Sequence, residues 1–215
     1  SRRTSDIERF VFLSKAAVET LRHVSWPPNI VHCHDWHSAM VPTFIDEYSL
    51  KYRDFPNIKT LFTIHNLANQ GISKLDIVDY AALHHDLTPA LMEDYFDKDD
   101  NVIDLIKVGI LSADYVSTVS PTYAREILSK QYGEGLEKYL QRRIKHLTGI
   151  LNGLDWKLFD PTHDRLIKKT YNRKILVTGK AVNKQWLQKQ AGLPQVKDVP
   201  VFGLISRLVK QKGLD

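Results

Sequence analysis

Apolar residues at Ile7, Phe10, Val11, Ala17, Val18 and Leu21 recur at helical spacing until Trp26-Pro27-Pro28 ends the run. Ser5-Asp6-Ile7-Glu8 has the form of a capping box, so the pattern predicts a helix opening at Ser5. A short β-branched run at 30–34 then predicts a strand, 38–49 a helix, and 60–64, beyond a polar turn through Pro56, a second strand. The alternation recurs: a helix near 102–111, a strand at 115–119, a helix with Pro121 as its first residue, and a brief strand at 149–151. Such alternation predicts an α/β fold with a parallel sheet covered on both faces.

After Asn152-Gly153-Leu154-Asp155 the texture changes. Asp160-Pro161 marks a connection, 168–174 is basic, 180–191 reads as a helix, and 199–205 as an apolar strand leading into a basic loop. The pattern therefore divides the chain into a first domain at 1–150, a crossing at 151–160, and the start of a second domain at 161–215. Asn152-Gly153 suits a tight turn in that crossing.

Composition narrows the class without naming it. The 215 residues are 43% hydrophobic and 10% aromatic, enough for a packed core. One cysteine, Cys33, excludes an intrachain disulfide, and the chain opens on no apolar signal segment and contains no apolar run of membrane-spanning length. A reducing compartment is expected. The net charge of +5 suits a phosphate-bearing ligand; basic and aromatic residues are not clustered in the way a nucleic-acid surface requires.

Position within the predicted sheet points to chemistry. In open parallel α/β sheets ligands bind beyond the carboxyl ends of the strands, and here those ends carry His34-Asp35, His65-Asn66, Ser120 and Asn152. A fifth predicted strand, ending at Ser206, leads into Arg207 and Lys212 before an expected helix start, a combination suited to phosphate. His32, His34 and His37 could form a metal site, or be hydrogen-bonded structural groups or substrate contacts. The second reading is favoured, because zinc wants a fourth ligand or an open position and Cys33 falls on the other side of the strand.

Five stretches, "VHCHDWHSAMVP", "LFTIHNLANQG", "ADYVSTVSPTYAREI", "GILNGLD" and "LISRLVKQKGLD", in this order, resemble the bacterial glycogen synthases and plant starch synthases, family 5 of the glycosyltransferases. The resemblance implies a GT-B fold, two Rossmann-like domains with parallel sheets facing each other across a cleft and only partly covered by this chain. It implies retaining transfer of glucose from ADP-glucose, or UDP-glucose, to the 4-OH at the non-reducing end of an α-1,4-glucan, with no metal and no cofactor. Neither a nucleic-acid nor a membrane partner is implied, the oligomeric state is left open, and the location is cytoplasmic in bacteria, with the plastid as the alternative. The related alternatives are another GT-B transferase of the sucrose or trehalose synthase type and a non-catalytic glucan-binding relative.

By the same resemblance Arg207 and Lys212 match the pair that binds the donor diphosphate, where fixed cations stabilise developing negative charge. His65 matches a histidine beside the transferred glucose, Asp35 an aspartate on the acceptor side, and Asn152 an asparagine that contacts the sugar. Trp36 is expected to shape the acceptor cleft. Asn69 departs from the pattern, standing where an aromatic residue is common. The family's amino-terminal K-x-G-G-L loop and later E-x7-E segment have no counterpart in this sequence, so the chain by itself is expected to have little activity.

Overall fold

A computed structural model describes residues 2–74, 76, 77, 81, 95–97, 101–209, 212 and 213. The contacts divide the chain into two compact units, Ser1–Asn152 and Gly153–Asp215.

The first unit is built on a parallel sheet of four strands in the order β1-β2-β6-β7. These are β1 (Ile30–His34), β2 (Lys59–Ile64), β6 (Tyr115–Thr118) and β7 (Leu147–Gly149). The strands are short, and the buried ones are β-branched or aromatic: Phe62, Ile64 and Val116 are each fully buried. Two helices, α1 (Arg2–Leu21) and α2 (Val41–Lys51), pack on one another, and α3 (Leu105–Ser112) lies against β2. Their inward positions, among them Val11, Val18, Phe44, Ile106 and Ile110, join the strands in one core.

Several expected boundaries move, each for a local reason. The backbone is helical from Arg2, so Ser5 lies inside α1 rather than capping it; once a helix is nucleated, extending it by a residue costs little. The helix expected at 38–49 is a 3-10 turn, Trp36–Ser38, followed by α2. Val102–Asp104, expected as helix, is instead β5, the middle strand of an antiparallel sheet with β3 (Ile72–Lys74) and β4 (Phe96–Asp97). Asp104 then opens α3, its carboxylate accepting the N–H of Lys107 at 3.1 Å. At the next strand end Ser120 caps α4 (Pro121–Glu126), with Pro121 in the first turn as expected. α5 (Glu137–Arg142) follows, and then β7, two residues earlier than the sequence suggests. A side chain at Gly149 would stand 2.2 Å from the Ser120 carbonyl, so the end of β7 needs a glycine to approach that turn.

The two faces of the sheet differ. Parallel register pairs His32 with Leu61 and Leu61 with Tyr115, so these share a face, while Cys33, Phe62 and Val116 share the other. The second face is core. On the first, Ile30 and Tyr115 remain 62% and 56% exposed. Farther along the same face of β2 and β6, Thr63 and Ser117 are buried, so exposure on these two strands is confined to their start.

In the second unit one helix, α6 (Leu176–Gln190), is preceded by a 3-10 turn, Arg173–Ile175, that Asn172 caps. It starts four residues before the predicted 180–191. The segment 199–205 is not a strand: Phe202 is 91% exposed and Ile205 fully so. An extended segment gains its ladder only from a neighbour, and none lies beside this one among the described residues. The helix expected after Lys212 falls on residues outside the described set. Gly153 has open space where a Cβ would stand and no left-handed φ, so the local backbone does not demand glycine there.

Candidate functional site

The site begins where β1 ends. Asp35 has φ 51° and ψ −174°, a conformation that is nearly glycine's alone. The surrounding bonds hold it there. Its N–H continues the ladder to the Thr63 carbonyl at 3.0 Å, and its carbonyl accepts the N–H of Ser38 at 3.3 Å. Its carboxylate Oδ1 reaches across to β2, accepting the N–H of His65 at 2.8 Å and that of Asn66 at 3.4 Å. Strain of this kind persists where neighbours over-determine it. Here it turns the carboxylate onto the next strand tip, so Asp35 and His65, both expected at the site, are joined directly.

Three histidines gather on the exposed face of the same two strands. His32 and His34 are two residues apart, and Thr63 and His65 continue the matching parity on β2, so all four side chains fall on one side. The His34 and His65 rings meet, Nδ1 to Nε2, at 3.0 Å. The His32 ring lies 4.1 Å from that of His34, and its Nε2 bonds the Thr63 hydroxyl at 2.6 Å, which in turn bonds Ser117 at 2.6 Å. Partial burial, with the charges that His34 and His65 can carry, holds His32 below the usual histidine range.

His37 goes elsewhere. It stacks on Trp36 at 4.1 Å and meets Phe10 edge-on at 4.6 Å, so the set His32, His34 and His37 is not assembled. Among the described residues no group of three His, Cys, Asp or Glu is arranged to hold a metal ion. Cys33 is buried on the core face, away from these histidines, and burial pushes its thiol up to about 12.

Trp36 forms one wall of a cavity of about 400 Å³, lined also by Asp6, Ile7, Asn69, Gln70 and Gly71. The far wall is the loop that follows His65, and it is pinned from three sides. The Tyr123 hydroxyl accepts the N–H of Leu67 at 3.2 Å, the Gln70 side chain donates to the Glu134 carbonyl at 2.8 Å, and the Gln70 carbonyl accepts from Ile106 at 3.1 Å. Gly71 has φ +68°, and a Cβ there would stand 2.8 Å from the Trp36 ring, so only glycine lets loop and indole approach this closely.

The remaining expected residues lie at the end of the first unit and in the second. Asn152 is exposed and is the last residue of the first unit. Arg207 and Lys212 belong to the second unit, both exposed, on a turn in which the Lys212 N–H reaches the Val209 carbonyl at 2.9 Å. Tyr123 and Gln70 are not among the residues the sequence singles out, and it offers His34 as a metal ligand, a structural group or a substrate contact without pairing it with His65. The parity of 32 and 34 was visible, but its meeting with 63 and 65 depends on a strand register that no local pattern states.

Residues 2–142 match the family described as the starch synthase catalytic domain. The chain is 42% identical over 214 residues to the glycogen synthase of Bacillus subtilis and 39% identical over 213 residues to that of Exiguobacterium sibiricum; each match covers 98% of this chain and 43% of the relative. Among solved structures it matches the catalytic domain of starch synthase IV from Arabidopsis thaliana, bound to ADP and acarbose, with a TM-score of 0.84 and 36% identity over 98% of this chain and 42% of that one. The chain thus spans less than half the length of these relatives.

Proposed function

Because this chain belongs to the starch synthase catalytic-domain family, we propose that its residues serve a glycogen or starch synthase: retaining transfer of glucose from a sugar nucleotide to the 4-OH at the non-reducing end of an α-1,4-glucan. The observation that carries this reading is the direct bond from the Asp35 carboxylate to the His65 N–H at the carboxyl ends of β1 and β2, where an open parallel sheet presents its ligand site. ADP-glucose is the favoured donor over UDP-glucose, supported by the ADP held by the Arabidopsis relative.

The roles follow from charge and position. Cleavage of the bond between glucose C1 and the diphosphate leaves negative charge on the departing nucleotide. Arg207 and Lys212 supply fixed cations for that charge, stabilising the transition state more than the ground state. His65 lies beside the transferred glucose, Asp35 holds the His65 backbone in place, Asn152 contacts the sugar, and the Trp36 cavity takes part of the acceptor. No described helix is long and apolar enough to cross a membrane; the bacterial cytoplasm, or a plastid, is the proposed location.

The test is incubation of a full-length protein carrying these residues with radiolabelled ADP-glucose and maltooligosaccharides. Label in longer glucans, lost in Arg207→Ala and His65→Ala, supports the reading. Absence of transfer from both ADP-glucose and UDP-glucose overturns it.

A further inference from the structure

We propose that His34 is a positioning residue that fixes the ring and tautomer of His65; this rests on the synthase reading for its kinetic consequence but not for its chemistry. The contact between His34 Nδ1 and His65 Nε2 at 3.0 Å needs one nitrogen to carry a proton and the other a lone pair. It therefore couples the two rings. If His34 donates, neutral His65 carries its own proton on Nδ1 and presents a donor to a ligand; if His65 donates from Nε2, its Nδ1 is an acceptor. In either case Nε2 is committed to His34, and Nδ1 is the ring nitrogen left to face a sugar hydroxyl.

The arrangement holds His65 from both ends. Asp35 accepts the backbone N–H of His65 at 2.8 Å while His34 holds the ring. His34 is itself tied to the turn that follows it, its backbone N–H bonding the Ser38 hydroxyl at 2.6 Å and its carbonyl accepting from the same hydroxyl at 3.0 Å. The His32 ring, 4.1 Å from that of His34, packs beside it and has its own partner in Thr63. An exposed histidine without such a partner samples both tautomers and several rotamers. Holding one of each converts a mobile ring into a preorganised contact.

Three substitutions at His34 in a full-length synthase carrying these residues separate positioning from bulk. His34→Asn keeps a polar atom near the Nδ1 position, His34→Gln moves it to the Nε2 position, and His34→Phe keeps a ring with no nitrogen. The Phe and Gln variants are expected to lose about tenfold in kcat with KM for glucan within about twofold, whereas Asn stays within about threefold of the parent. Nitrogen-15 spectra of histidine-labelled protein are expected to give His65 one tautomer in the parent and an average of two in the Phe variant. A Phe variant with full kcat, an Asn variant as slow as Phe, or mixed tautomers of His65 in the parent overturns the proposal. A parent with no transferase activity would defeat the synthase reading alone, since the spectra still decide the histidine coupling.

Discussion

The carboxylate of Asp35 and the backbone N–H of His65 meet at 2.8 Å, although the two residues end different strands. The bond links the tip of β1 to the first residue after β2, and it forms only because Asp35 adopts a φ of 51°. An aspartate in that conformation gives up backbone stability for the direction of its side chain.

Replacing Asp35 separates these two effects. Asp35→Ala leaves the His65 N–H without its acceptor and keeps the strained φ; it is expected to destabilise the protein by about 2 kcal/mol. Asp35→Gly also loses the acceptor but removes the strain, so it should cost less than Ala. Urea denaturation of the three proteins checks this order, and an Ala variant as stable as the parent would refute the account. In a full-length protein carrying these residues, turnover should fall in both variants, because the His65 loop loses its anchor.

Tyr123→Phe tests the other side of the same loop. The hydroxyl accepts the N–H of Leu67, a fully buried residue. Its loss is expected to cost about 1–2 kcal/mol and, in a full-length protein carrying these residues, to lower kcat. Hydrogen exchange at the Leu67 amide reads the effect directly; unchanged protection would show that the hydroxyl does not hold the loop.

Gly71→Ala addresses the Trp36 cavity. The added methyl would meet the indole at 2.8 Å on a backbone with φ +68°, so a loss of about 1–3 kcal/mol is expected. If the cavity takes part of the acceptor, KM for maltooligosaccharides should rise in a full-length protein carrying these residues while KM for the sugar nucleotide holds. Equal changes in both constants would remove the cavity from acceptor binding.

Asp104 predicts a pH dependence. Burial raises its carboxyl from 3.8 to about 6, against the opposing bond from the Lys107 N–H. Between about pH 4 and 6 the folded state keeps a proton that the unfolded chain has released, so this group's contribution to stability is full below pH 4 and is lost as pH rises through 6. Asp104→Asn keeps a helix cap without the buried charge. It is expected to raise stability at pH 7 by about 1–2 kcal/mol and to flatten the pH 4–6 slope. Thermal melts at pH 4 and pH 7 decide it: a parent more stable at pH 7 by the full margin, or an Asn variant with an unchanged slope, would refute the assignment.

The sequence by itself determined the alternation of strands and helices around the first sheet, because apolar period and capping chemistry act over a few residues. Ile30–His34 stands as a strand by its own composition, and Ser120-Pro121 opens a helix by its own side-chain acceptor and fixed φ. β7 ends at Gly149, short of Asn152, and no described strand leads to Arg207, but the sequence did place His34-Asp35 and His65-Asn66 at strand tips. What they do there was decided by tertiary structure. Register between β1 and β2 brought His34 to His65, and a φ that no local pattern announces turned Asp35 onto a backbone N–H instead of leaving its Oδ1 free. The same distinction explains where the local reading failed. Val102–Asp104 pairs with Ile72–Lys74, some thirty residues earlier, whereas 199–205, with the apolar texture of a strand, has no described neighbour to pair with. A strand is a relation between two segments, and one segment's residues carry only half of it.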